Sequence, residues 1–265
     1  MQHIESYHGI TENPGTVHSQ MHSHPFYEIY CFLDGNAEYC VEGRRYQLSR
    51  GDLMLMRPGE VHHYELSNCG RYERMGVHFD LPEDDALFDR KRLLAAFDAR
   101  GAGKLNHYPA AVFEGNHWQF YLRKITQAED KRQALCYLLP LLMELAEDFP
   151  RLQQLPSAAE RDRAAPIMKY ISQNLQEELS LEQLCRQFYI SKTHLNRLMR
   201  QSTGTTVWEY ITVKRLFLAR EKILAGARAS EVYLGCGFSD YTTFYRAYKR
   251  HFGTSPSGRS KNGGN

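Results

Sequence analysis

Residues 235–256 read GCGFSDYTTFYRAYKRHFGTSP, and this stretch decides the fold of the C-terminal part of the chain. Gly237-Phe238 signals a turn, Ser239-Asp240 offers side-chain oxygens at a helix start, and Gly253 stops the helix between them. Within that helix Phe244, Ala247, Tyr248 and Phe252 share one face. Tyr241, Thr242, Tyr245, Arg246 and Lys249 share the other. Just upstream, Ser230 is expected to cap a short helix, EVYLGC. Two helices joined by so tight a turn form a helix-turn-helix.

The arrangement also stands earlier in the chain. Pro166 opens PIMKYISQNL, Ser180 and Gln183 form a capping box for LEQLCRQF, and Ser191 caps KTHLNRLMRQST, which ends at Gly204. In this helix Leu195, Leu198 and Met199 make the inner face, and Lys192, Thr193, Asn196, Arg197 and Arg200 the outer one. Arg matches guanine and Asn matches adenine in paired hydrogen bonds, so such a face suits a major groove. A long helix, VWEYITVKRLFLAREKILA, separates the two units and could hold them about one DNA turn, ~34 Å, apart.

Charge points the same way. The chain has 265 residues and a net charge of +2, but residues 166–265 carry 15 Lys and Arg against 7 Asp and Glu, while the rest carry 18 against 24. A domain at +8 beside one at −6 implies that one half meets a polyanion.

Residues 166–258 closely resemble the double helix-turn-helix domain of the AraC/XylS family of transcription regulators, through the signature just quoted, ISKTHLNRLMRQSTG and EYITVKRLFLAREKIL. The resemblance implies that Thr193, Asn196 and Arg197, with Tyr241, Thr242, Tyr245 and Arg246, read adjacent major grooves of double-stranded DNA. It also implies RNA polymerase as a partner if the protein is an activator. One departure stands out. The family places a small alanine where this chain has Tyr233, which predicts a splayed second unit or looser reading; the matching position in the first unit is Cys185.

The N-terminal part has another texture. Between residues 22 and 80, HPFYEIYCFL, AEYCVEG, RRYQL, DLMLM, HHYEL and YERMGVHFDL are strand-like runs separated by turn pairs, which predicts an all-β sandwich or barrel. Helices are expected in FDRKRLLAAFDA, HWQFYLRKITQAED and KRQALCYLLPLLMELAEDF, with Pro140 kinking or breaking the last. The polar, proline-containing residues 151–165 read as a linker. The expected class is therefore α+β with two domains: residues 1–150, an antiparallel barrel with following helices, and the all-α residues 166–258.

His22, His24 and Glu28 form H-x-H-x3-E, and Gly51 with Arg57-Pro58-Gly59-Glu60-Val61-His62 follows. These resemble the two motifs of cupin barrels, in which the three histidines and the glutamate hold one divalent metal. Arg57 replaces the expected proline, and Gly15 lies one residue out of register. In the family a cupin-like barrel often binds an organic effector, commonly a sugar, and Tyr30, Phe26 and Phe32 share strand parity with Glu28. An effector site at His22, His24, Glu28, Tyr30 and His62, a metal at His22, His24, Glu28 and His62, and a merely polar barrel mouth all stay open. The leading reading is a small-molecule-controlled regulator, more an activator than a repressor. The competing one is a metal-dependent cupin enzyme, a dioxygenase or isomerase, fused to a DNA-binding domain. The leucine-rich stretch 133–149 is either core or, as the family suggests, a homodimer contact.

The six cysteines, Cys31, Cys40, Cys69, Cys136, Cys185 and Cys236, form no CxxC pair, as expected of reduced thiols in the cytoplasm. No apolar run reaches the ~20 residues of a membrane span, and the N-terminus lacks the apolar core of a secretory signal.

Overall fold

The computed structural model describes residues 3–19, 21–67, 69–82, 88–155 and 164–257. Contacts divide the chain into two compact units, Met1–Asp162 and Arg163–Asn265.

In the first unit the strands are β1 (Ile4–Glu12), β2 (Val17–His18), β3 (Tyr27–Asp34), β4 (Ala37–Val41), β5 (Arg44–Gln47), β6 (Leu53–Met56), β7 (His62–Leu66), β8 (Arg71–Phe79) and β9 (His107–Tyr108). They make two antiparallel sheets, ordered β1-β8-β3-β6-β9 and β2-β7-β4-β5. Strand alternation sorts the side chains. Tyr30, Phe32, Met54, Met56 and Tyr72 of the first sheet meet Ala37, Tyr39, Val41, Tyr46 and Leu66 of the second in one buried cluster. On the other face of the larger sheet, Ile29, Cys31, Leu33, Leu53, Leu55, Val77 and Phe79 pack under helices. That sheet is thus buried on both faces, which is why HPFYEIYCFL and DLMLM read as continuous apolar runs.

The covering helices are α1 (Arg90–Leu93), α2 (Ala95–Asp98), α3 (Trp118–Thr126) and α4 (Lys131–Gln153). The leucine-rich stretch of α4 is core: Leu138, Leu141, Leu142, Leu145 and Phe149 join the cluster on the sheet. Helix α4 runs through Pro140 and Pro150 rather than ending there. A proline inside a helix costs ~3 kcal/mol, and the buried row continues on both sides of it to outweigh that loss. Of the expected linker 151–165, residues 151–153 continue α4 because Leu152 extends its buried row, residue 165 begins the next helix, and 156–163 lie outside the described residues. Strand β1 was not expected. IESYHGITE is polar and half exposed at the sheet edge, and it is held by pairing with β8 rather than by an apolar pattern.

The second unit consists of α5 (Ala165–Gln173), α6 (Leu181–Phe188), α7 (Lys192–Thr203), α8 (Val207–Leu224), α9 (Ala229–Val232), a 3-10 turn at Leu234–Cys236, and α10 (Tyr241–Phe252). Ser180 and Gln183 form the expected capping box, Ser191 and Asp240 cap α7 and α10, and Gly204 and Gly253 end them in left-handed conformation. Ser230 does not cap; it lies inside α9, whose N-cap is Arg228, because burial of Ala229 starts the helix earlier. Helix α8 packs against α5, α7, α9 and α10. No helix among the described residues is long and apolar enough to cross a membrane.

Candidate DNA interface and barrel cluster

Two helix-turn-helix units present α7 and α10. On α7, Lys192, Thr193, Arg197 and Arg200 are exposed, while Leu195 and Met199 are buried. Asn196 also makes bonds within the protein. Its Nδ2 donates to Lys192 O, and its Oδ1 accepts from the backbone N–H of Val207, each at 3.3 Å. It thereby satisfies an orphan donor at the start of α8, while the side chain itself is half-buried. Lys192 Nζ pairs with Glu182 of α6.

On α10, Thr242, Arg246 and Lys249 are exposed and Phe244, Ala247 and Tyr248 are buried. Tyr241 and Tyr245 are half-buried. Tyr233 fills the space that a small residue would leave: its ring lies 5.7 Å from Tyr241 and 6.4 Å from Phe244, centroid to centroid. The scaffold before the turn is accordingly one turn of α-helix followed by the 3-10 turn.

In the barrel, Glu28 is the centre. It is 4% exposed, yet both oxygens are filled. Oε1 accepts from Tyr7 Oη at 2.8 Å and lies 3.2 Å from His78 Nε2. Oε2 lies 3.0 Å from His24 Nε2 and 3.2 Å from His62 Nε2. Burial pushes the Glu28 carboxyl upward, but the close His24, His62 and His78 rings outweigh it and hold the group well below the usual carboxylate range. Burial lowers the His24 pKa; for His62 the Glu28 contact outweighs burial and the pKa is raised. Tyr7 reaches Glu28 by crossing Gly76, where an added Cβ would stand 2.6 Å from Tyr7 Oη and 2.5 Å from Ile29 O.

The sequence-derived site residues fall at different depths. His24, Glu28 and His62 offer ligand atoms within 4.8 Å of one another. His22 bridges in backbone to His62 but is exposed, its ring 4.3 Å from the His62 ring. Tyr30 lies deeper, its hydroxyl 2.9 Å from that of Tyr72. Phe32 is core, and Phe26 stacks on His3 at 3.7 Å. Arg57 leaves the site altogether: it donates to Arg100 O and lies 3.6 Å from Glu60, inside a buried Glu60–Arg100 pair.

The family model for the AraC-like ligand binding domain matches residues 3–134, and that for a helix-turn-helix domain matches residues 184–261. The chain belongs to the AraC family. The transcriptional activator RhaR of Cronobacter sakazakii is 25% identical over 255 residues, covering 89% of this chain and 84% of the relative. RhaS of Yersinia pestis, also named a transcriptional activator, is 24% identical over 256 residues, covering 89% and 86%. Among solved structures, ToxT of Vibrio cholerae O395 aligns over 96% of this chain and 95% of its own at 10% identity, with a TM-score of 0.38. This AraC-family chain is thus a transcription regulator with a ligand-binding and a DNA-binding domain, and its relatives are regulators rather than enzymes. Sequence reasoning about the regulator missed Tyr7 and His78. His78 shares strand parity with Tyr72 and Arg74, opposite Met75, Val77 and Phe79, and that alternation was the available signal.

Proposed function

We propose that this regulator is an effector-controlled transcription activator that acts in the cytoplasm as a homodimer and engages RNA polymerase at its promoters. The DNA-binding unit lays α7 and α10 into successive major-groove segments of one duplex. Arg197 and Arg246 read guanine edges, Thr193, Tyr241, Thr242 and Tyr245 add base contacts, and Lys192, Arg200 and Lys249 hold phosphates. The exposed, basic outer faces of both helices support this assignment. Asn196, which also accepts from the start of α8, adds a contact from the same face. Two exposed apolar side chains on the covering helices, Phe120 and Met143, support a subunit contact there.

The effector is a small polyhydroxylated molecule, a sugar, bound against Glu28. The observation that carries this reading is the buried carboxylate ringed by Tyr7, His24, His62 and His78 next to Tyr30, Tyr39, Tyr64 and Tyr72. Sugar hydroxyls both donate and accept, and tyrosine faces suit their C–H surfaces.

A second reading has its own support. Nδ1 of His24 faces Phe26 O at 3.0 Å, and Nδ1 of His62 faces Glu60 O at 2.8 Å. A carbonyl only accepts, so both Nδ1 atoms carry hydrogens, and in the neutral rings both Nε2 lone pairs turn to Glu28. Nε2 of His62, although close to Oε2, is off the line of a hydrogen bond and is a buried atom without such a partner. That donor set fits a divalent cation held by His24, Glu28 and His62, with backbone carbonyls fixing the ring tautomers. Bound there, the ion would supply a Lewis-acidic docking point for ligand hydroxyls.

Melting curves of the full chain distinguish the readings. Stabilisation by monosaccharides that survives EDTA supports the metal-free pocket. Stabilisation by Zn2+, Mn2+ or Ni2+ that is lost in His24→Ala and His62→Ala supports the metal. If neither shifts the curve and Glu28→Gln activates a reporter promoter normally, the site reading is wrong.

A further inference from the structure

Arg215 of α8 is 5% exposed, in a helix whose neighbours Tyr210, Ile211, Leu216 and Ala219 are buried. Its Nε donates to Leu175 O at 2.9 Å, and its Nη2 donates to Glu177 O at 2.8 Å. Both carbonyls belong to the segment between α5 and α6, just past the C-terminal end of α5, where carbonyls lack helical partners. The same guanidinium touches the second unit. A Cβ built on Gly237, in the turn before α10, would stand 2.5 Å from Arg215 Nε, 2.6 Å from its Cζ and 2.5 Å from Leu175 O. Gly237 also has φ +83, so the turn requires glycine both for its conformation and for its proximity. The loop that leads into the first helix-turn-helix, the turn of the second and the helix between the two units therefore converge on one side chain.

Carbonyl dipoles hold this charge in the interior. Burial lowers the Arg215 pKa, and the Cys236 thiol is the ionisable neighbour that bears on it. An apolar side chain of similar length would fill the space without that desolvation penalty. What the guanidinium adds is direction: two donors in a planar fork fix the angle of the loop to the helix, whereas an apolar chain would only fill volume. We propose that Arg215 is a positioning residue that sets the relative placement of α7 and α10, and with it the half-site spacing the regulator accepts. The inference rests on the reading that both helices contact bases.

The experiment uses full-length protein and duplexes recovered by the wild-type chain from a randomised DNA pool. In the strongest binder, one base pair is inserted or removed between the two protected halves. One base pair rotates a half-site by about 35° and shifts it by about 3.4 Å. Wild type is expected to lose about thirtyfold in affinity on either change, comparable to a mismatched base pair. Arg215→Met is expected to lose only about threefold on the same change, with unchanged base preference within each half. Should Arg215→Met lose its helical circular dichroism, Arg215→Lys carries the measurement, since its stem fills the same space and its ammonium meets only one carbonyl well. A folded variant that pays the full wild-type spacing penalty overturns the inference. A wild-type chain indifferent to spacing overturns the two-helix reading itself, and the inference falls with it.

Discussion

Lys192, the first residue of α7, is ion-paired to Glu182 across the turn that joins α6 to α7, and both side chains are exposed. The hydrogen bond to Lys192 lowers the Glu182 pKa, and the same contact raises that of Lys192. A DNA phosphate approaching Lys192 has to displace a carboxylate. Glu182→Gln is therefore expected to tighten DNA binding at low salt, with the gain fading as salt rises and the salt slope steepening by about one. Fluorescence anisotropy across a salt series measures it. Equal or weaker binding at low salt would show that Lys192 does not meet the backbone.

Arg197→Ala and Arg246→Ala should each weaken specific binding by ~1–3 kcal/mol and relax base preference at one position, with less effect on random-sequence DNA. Both arginines are exposed on the outer faces of α7 and α10. Equal losses on specific and random duplexes would make them phosphate contacts.

Tyr189 ends α6 in left-handed conformation, with φ 54, and is 95% exposed. A non-glycine residue there carries strain of about 1–2 kcal/mol, and this side chain buries almost nothing to offset it. Tyr189→Gly relieves the strain but enlarges the unfolded ensemble by about 0.5–1 kcal/mol. The net expectation is stabilisation of the DNA-binding unit by up to about 1 kcal/mol. Urea unfolding followed by helical circular dichroism tests this, and a lower midpoint contradicts it.

Glu60 is buried against Arg100, with Nη1–Oε1 and Nη2–Oε2 both at 2.8 Å, and also accepts from Asn106 and Gly103. Burial raises its pKa, but Arg100 outweighs this and brings the carboxyl from 4.5 to about 2. A depressed carboxyl stabilises the fold above its unfolded value, and that contribution is lost as pH falls through the folded one. About 3 kcal/mol of barrel stability should therefore disappear between pH ~4.5 and ~2. In Glu60→Gln that acid dependence should flatten while stability at neutral pH drops by ~3–5 kcal/mol, because Arg100 is left buried and unpaired. Fluorescence of Trp118, fully buried in this unit, follows it; an unchanged acid limb would remove the pair from the account.

The legible parts of the chain were those where one residue type satisfies one local need. Ser180, Ser191 and Asp240 accept from helix N–H groups, and Gly204 and Gly253 adopt left-handed conformations, so their roles follow from chemistry alone. Strands β3 to β8 were visible because turn pairs bracket apolar runs. What stayed hidden depends on neighbours distant in sequence. Strand β1 exists through its pairing with β8, and Asn196 is occupied by a backbone group that only the fold brings near. In the barrel, the motif spacing located His24, Glu28 and His62, but Tyr7 and His78 enter from β1 and β8 without any motif. Around Tyr233 the scaffold is a short helix, Ala229–Val232, followed by a 3-10 turn, with the Tyr233 ring against Tyr241 and Phe244.

Helix α8 is one continuous element from Val207 to Leu224, so a single chain carries α7 and α10 as two unlike heads on one shaft. The faces they offer differ: Lys192, Thr193, Arg197 and Arg200 on one, Thr242, Tyr245, Arg246 and Lys249 on the other. A palindrome presents the same letters to both sides and would leave one head mismatched. If both helices read bases as proposed, the preferred sequence for a single chain is asymmetric, with a left end and a right end. On the proposed reading, each bound subunit then has a heading along the duplex, and a dimer's two subunits can point the same way or oppose each other.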